Sequence, residues 1–259
     1  MDDFFSRDFD FVCSLGWNCA CATYLRRHRL RDCSSPFDWL IFSTFEARIR
    51  LLETHFAGFL EKANLHRLPP DVKAPRHGLL PYEDRGDGFV LFHEFPENQP
   101  FDEAYEEVHA KYARRIARLY WRVASSQRVL FVWRSPVDHL PAEELVAAQE
   151  RLSRLFSGSE ISLLVVENDM SLGAVREESL APRVLRLVGP IVPDIDVPDG
   201  DVAVNNRIFS RIRSSVARAG HRRDARLRLL VKLLSWPHFS KAGRAEARRR
   251  WMQRLQVEM

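Results

Sequence analysis

A chain of 259 residues with 46% hydrophobic and 29% charged residues has a globular composition, long enough for one large core or two domains, which excludes a wholly disordered chain. No run approaches the roughly 18 apolar residues that a spanning helix needs. The net charge of +4 is unevenly spread: from Arg207 onward 15 Lys and Arg face three acids, a net of +12, which leaves the preceding body at −8.

The N-terminus, Met1-Asp2-Asp3-Phe4-Phe5, opens on acids rather than a basic segment followed by an apolar one, so no signal peptide is expected. Phe9 to Leu15 is apolar, holds aromatic and β-branched residues and stops at Gly16, which predicts a short strand. Asn18 then caps a helix from Cys19 to about Leu30. Ser34-Ser35-Pro36 breaks the chain before a second apolar run, Phe37 to Phe42, and Ser43 or Thr44 caps a helix to about Phe56. Residues 64–88, with Pro69-Pro70, Pro75 and Pro81, read as a long irregular excursion. A strand at Gly88–His93 and a helix from Phe101 to Ser125 follow, the helix burying Tyr105, Val108, Tyr112, Ile116, Leu119 and Val123. The period then becomes regular: strand Val129–Trp133, helix Pro141–Phe156, strand Ile161–Val166, strand Val184–Val188.

Strands apolar on both faces that alternate with helices predict an α/β fold, a mostly parallel sheet with helices on both faces. It is joined to a basic helical C-terminal tail, with residues 1–204 as the α/β domain and 205–259 as the extension. In that tail Ile208, Ile212 and Val216 form one apolar stripe on a basic helix.

Cys13, Cys19, Cys21 and Cys33 crowd the start of the chain, unlike a disulfide framework, and fit a reducing compartment. Cys19-Ala20-Cys21 lacks the spacer of a zinc knuckle or redox dithiol, and no metal site is expected. There is no Walker or dinucleotide fingerprint, Gly86-Asp87-Gly88 reads as a turn, and no cofactor is called for. In an open α/β sheet ligands gather at the carboxyl ends of strands, where this reading puts Cys19, His93, Arg134 and Asp169. A thiol at a helix N-terminus faces unpaired N–H groups and the positive end of the dipole, which favours thiolate. The same N–H groups, with the Asn18 amide, suit an oxyanion. His93 is the candidate general base, and Asp38 or Asp169 its orienting acid. The equally simple reading makes Cys19 a packed helix-start residue, His93 a backbone-bonded one and the acids turn caps. Glu94 is expected in solvent. Lys111, Arg114, Arg115 and Arg118 line one helix face, expected to pair with Glu106 and Glu107 or to clamp a phosphate or carboxylate.

Ser14-Leu15-Gly16-Trp17-Asn18-Cys19, Leu25-Arg26-Arg27 and Ser34-Ser35-Pro36-Phe37-Asp38-Trp39-Leu40 together resemble a bacterial domain family of unknown function that carries a papain-like cysteine peptidase label. His93-Glu94-Phe95-Pro96, Lys111-Tyr112-Ala113-Arg114-Arg115 and Val129–Trp133 also look like it, over roughly Phe9 to Val188. The resemblance implies Cys19 as nucleophile, at a helix start as papain-like enzymes have it, and His93 as base. Around them Asn18 and Asp38 would assist, and Ser34, Ser35, Trp39, Arg114 and Arg134 would line the substrate site.

Three functions compete. The first is a cysteine hydrolase or acyl-transfer enzyme. The second is a protein that processes cell-surface glycans or nucleotide sugars, or its accessory, in which Cys19 is packed and Arg134 with Arg114 binds phosphate. The third is a module docking on an anionic surface through residues 207–254. That tail has few aromatics (Phe209, Trp236, Phe239, Trp251) and no nucleic-acid motif, so nucleic acid gives way to an anionic membrane surface as the candidate partner, and both give way to a solvated helical appendage that packs on the acidic body. The expected location is cytoplasmic, with the tail able to hold the protein to the inner face of the membrane.

Overall fold

The computed structural model describes residues 4–72, 74, 78–135, 137, 139–191 and 202–215. The chain divides into two compact units, Met1–Ala217 and Arg218–Met259, and every described residue lies in the first. Elements in chain order are β1 (Asp8–Phe9), β2 (Phe11–Ser14), α1 (Cys19–Arg27), β3 (Leu40–Ile41), α2 (Phe45–Glu53), β4 (Leu65–Arg67), β5 (Leu79–Asp84) and β6 (Phe89–Pro96). They continue with α3 (Phe101–Ala124), β7 (Arg128–Ser135), α4 (Ala142–Leu155), β8 (Glu160–Asn168), β9 (Arg176–Ala181), β10 (Val184–Gly189), α5 (Val202–Ser210) and β11 (Arg213–Ser214).

Five strands form one sheet in the order β2-β7-β8-β10-β9. The first four run parallel and β9 closes the edge antiparallel to β10. Alternation of side chains gives the central strand two buried faces. From β7, Val129, Phe131 and Trp133 enter a core shared with α2, α3, α4 and the second sheet. Leu130 and Val132 point the other way, into a core with α1 and α5.

The second sheet corrects the expectation of a mostly parallel fold. It has four strands in the order β3-β6-β5-β4, all antiparallel, so the architecture is mixed α/β. Two of its strands lie inside residues 64–88, where the sequence predicts an irregular excursion. Pro81 hid β5, because proline cannot donate to a ladder and is held in sheets only at edges or bulges. Here it sits at a bulge: Tyr82 opposes Leu91 while Leu80 opposes Phe95, so two steps on β5 face four on β6. The polar edge strand β9, Arg-Glu-Glu-Ser-Leu-Ala, also went unread; charged edges block further pairing, so edge strands often lack the apolar pattern.

The tail differs as well. Within the described residues it is not one helix through Ile208, Ile212 and Val216. α5 ends at Ser210, and Arg213–Ser214 pairs in parallel with β1, with Ile208 and Ile212 both buried. The boundary read at residue 204 therefore falls inside a helix packed on the body, and the rest of the proposed basic extension, 216–259, lies outside the described residues. Among the described residues no helix is long and apolar enough to cross a membrane.

Candidate functional site

The turn after β2 explains its own sequence residue by residue. Ser14 Oγ accepts the Gly16 N–H (3.1 Å) and Leu15 is fully buried. Gly16 must lack a side chain, since a Cβ there would stand 2.3 Å from Cys21 Cβ; α1 thus folds back tightly on the strand it leaves. Trp17 N–H donates to the Arg134 carbonyl (2.9 Å), and its own carbonyl accepts from Phe42 N–H (3.1 Å). Asn18 caps α1, its Oδ1 accepting from Ala20 N–H at 3.1 Å, which leaves the side-chain NH2 as its donor. Cys19 is then the first residue of α1, at the positive end of the helix and only 6% exposed.

No cysteine is in a disulfide. Burial pushes the Cys13 thiol well above its ordinary value, although Ser35 Oγ lies 3.3 Å away. Burial likewise raises Cys21 to about 11 and Cys33 to about 12, the latter helped by Asp32. These three are protonated at neutral pH and poor nucleophiles.

The segment 34–40 is equally legible. Ser35 caps a single 3-10 turn at Pro36–Trp39, its Oγ accepting from Phe37 N–H (3.3 Å) while its own N–H donates to Asp38 Oδ2 (2.9 Å). The same oxygen meets Arg31 Nη2 at 2.6 Å, and burial raises the Asp38 carboxyl to about 6 against that cation's pull. Asp38 is thus committed to Arg31 and to its own capping box. Asp169, the other acid considered, folds into its own exposed turn with Ser171, whose N–H and hydroxyl hold it below the ordinary carboxylate range. Ser34 Oγ accepts from Arg31 Nη2 (2.7 Å) and its carbonyl from Arg118 (3.1 Å). Ser35 is buried, and Arg114 stands exposed on α3.

His93 does not end a parallel strand. It lies in the bulge of β6, on the antiparallel sheet, half-buried and with its ring edge-on to Trp39 at 5.3 Å. Bulges re-aim side chains. Three rings link its neighbourhood to the cysteine turn: Trp17 to Phe42 at 4.8 Å, and Phe42 to Phe92 at 6.2 Å. Phe42 thus touches a ring of each segment, Trp17 before Cys19 and Phe92 before His93.

Glu94 overturns the expectation of a solvated acid. It is buried and receives Lys111 Nζ, Tyr112 Oη (3.1 Å) and Arg115 Nη1 (3.3 Å). Lys111 and Arg115 therefore dock on β6, while Arg118 binds the Ser34 carbonyl and Arg114 stays exposed. Arg134 also changes role. At 1% exposure its Nε donates to Asn205 Oδ1 (3.1 Å) and its guanidinium lies over the Tyr24 ring, a core position rather than an open phosphate ligand.

Two features escaped the sequence. Arg48, wholly buried, donates to the Trp17 carbonyl (3.3 Å), the Phe37 carbonyl (3.3 Å) and the Leu40 carbonyl (2.8 Å), and so clips the two motifs together. Burial lowers its pKa to about 9. An arginine inside an amphipathic helix pattern gives no sign of this. At the end of β8, fully buried Glu167 holds Arg186 Nε (3.0 Å), Leu140 N–H (3.1 Å) and His139 Nδ1 (3.2 Å). Among the described residues no group of three or more His, Cys, Asp or Glu is placed to hold a metal ion.

A family model described as "Putative papain-like cysteine peptidase" matches residues 10–163. An uncharacterized protein of Acanthamoeba polyphaga mimivirus is 27% identical over 141 residues, covering 49% of this chain and 62% of that protein. No solved structure matches.

Proposed function

The chain belongs to that family, and from this premise we propose that it is a cysteine-dependent hydrolase of amides or esters, with Cys19 as nucleophile and His93 as acid–base partner. The observation that carries the reading is the contrast among the thiols. Cys13 and Cys21 lie within strand and helix and burial raises them and Cys33, whereas Cys19, also buried, opens a helix capped by Asn18, on a turn that shares Phe42 with the strand bearing His93.

In this mechanism His93 takes the Cys19 proton and the thiolate attacks the substrate carbonyl carbon. The tetrahedral oxyanion is met by the Cys19 N–H and the Asn18 side-chain amide. Collapse breaks the bond to the leaving amine or alcohol, which takes its proton from the His93 imidazolium, and a thioester remains. Water, deprotonated by His93, then adds to the thioester and expels the Cys19 sulfur, releasing the acid. Trp39 steadies the imidazole. Asp38 acts one step further out, by fixing the turn that carries Trp39.

Arg134 no longer suits the glycan or nucleotide-sugar reading, because its guanidinium is enclosed. The test is thiol mapping. The protein is treated with iodoacetamide from pH 5 to 10 and the modified cysteines are identified by mass spectrometry. Cys19 should react first, with a half-point below that of an ordinary thiol, and His93→Gln should shift that profile. Equal, slow labelling of all four cysteines defeats the proposal.

A further inference from the structure

Phe42 joins β3 to the cap of α2, and it is the residue whose backbone and side chain are hardest to explain by folding alone. Its φ is +73°, a left-handed conformation that bulky side chains rarely adopt. Its ring is 48% exposed, one of four large hydrophobic side chains left so open among the described residues. The conformation is held by the Phe42 N–H bond to the Trp17 carbonyl (3.1 Å), and Thr44 begins α2 two residues later. A glycine or asparagine would meet that backbone requirement with less strain and no exposed apolar ring.

The ring's neighbours indicate its use. On one side it meets Trp17 (4.8 Å), two residues before Cys19; on the other it meets Phe92 (6.2 Å), the residue before His93. Trp17 and Phe92 are themselves only half-buried. Strained residues kept by a fold concentrate where ligands are held, and open aromatic surface on the segments proposed to carry the reaction is suited to the apolar part of a substrate.

We propose that Trp17, Phe42 and Phe92 form a specificity platform that takes an aromatic side chain of the acyl portion of the substrate, next to the carbonyl that Cys19 attacks. This rests on the hydrolase reading for its chemistry but not for its binding. Rings stack on such a platform edge-on or offset, so a benzyl group gains more than a methyl or a hydrogen.

Two measurements test it on the full chain. In the first, two chloromethyl ketones with identical reactive groups, one built on phenylalanine and one on glycine, are compared for their rate of Cys19 modification, mapped by mass spectrometry. The wild type should favour the phenylalanine reagent by about ten- to a hundredfold, the range one apolar group against an apolar surface supplies. Phe42→Gly, which relieves the strained φ and should keep or raise Tm, should reduce that preference to about threefold or less. Trp121→Ala, which removes an exposed ring on α3, should leave it intact. In the second, N-acetylphenylalaninamide and N-acetylglycinamide are titrated against tryptophan fluorescence; only the first should saturate, and Phe42→Gly should abolish that response. Saturation without Cys19 labelling keeps the platform and removes the hydrolase reading. A preference untouched by Phe42→Gly, no preference in the wild type, or no saturation overturns the platform.

Discussion

The turn that carries Cys19 and the bulge that carries His93 are built by opposite means. The first is largely local: within Ser14–Cys21, Ser14 accepts from Gly16, Gly16 makes room for Cys21 and Asn18 caps Ala20. The second is built from afar. His93 stands in a deformed strand whose position depends on Pro81 opposite, on Glu94 gripped by Lys111, Tyr112 and Arg115 of α3, and on Trp39 of a separate turn. A locally coded turn tolerates change elsewhere, whereas a bulge fixed by distant partners does not. Arg48 ties the first to the turn that carries Trp39, since its guanidinium binds the Trp17, Phe37 and Leu40 carbonyls.

This contrast can be broken most severely at the two residues proposed to react. Cys19→Ser should remove covalent chemistry altogether while leaving Tm nearly unchanged, because oxygen replaces sulfur at the same capped position. His93→Gln should slow Cys19 acylation by about 10²- to 10⁴-fold, the range of a positioned acid–base group. Stopped-flow labelling measures both; full activity in either variant would move the chemistry to another residue.

Next in size is the clip. Arg48→Ala strands three carbonyls and opens a cavity, and should cost about 3–5 kcal/mol in denaturant unfolding. Losses below about 1 kcal/mol would mean that water readily replaces the guanidinium and that the two segments are joined otherwise.

Gly16→Ala strikes only the local half. Its new Cβ collides with Cys21 Cβ, and such overpacking costs about 1–3 kcal/mol. Because the clash is Cβ against Cβ, Cys21→Gly should recover much of the loss and Cys21→Ala should not. Equal rescue by both would show that the sulfur, not the backbone approach, sets the limit.

A last test sharpens the comparison through pH. Burial raises the Asp38 carboxyl from 3.8 to about 6 in the folded chain. Between those values the folded state holds more protons than the unfolded one, so raising pH through this window lowers stability, by about 3 kcal/mol in all. Asp38→Asn lacks that term. The wild type should therefore gain Tm on the variant as pH falls from 7 to 4, and the difference should be flat above pH 7. A constant difference across the range would sink this assignment.

The amino-acid order alone determined the helices α1 to α4 and the strands β2, β6, β7, β8 and β10, because each is an apolar run or an amphipathic stripe whose signal is local. It also located the cysteine turn, since a strand, a glycine and an Asn-Cys pair need no distant partner to be read. Tertiary structure decided the rest. β4 and β3 are too short to carry a period, Pro81 masks β5, and β9 is polar because it is an edge. Glu94, Arg134 and Arg48 look like surface charges in sequence, yet they are buried because partners tens of residues away supply the hydrogen bonds that make burial tolerable. Charge burial depends on what arrives from elsewhere in the chain, and no local pattern announces its arrival.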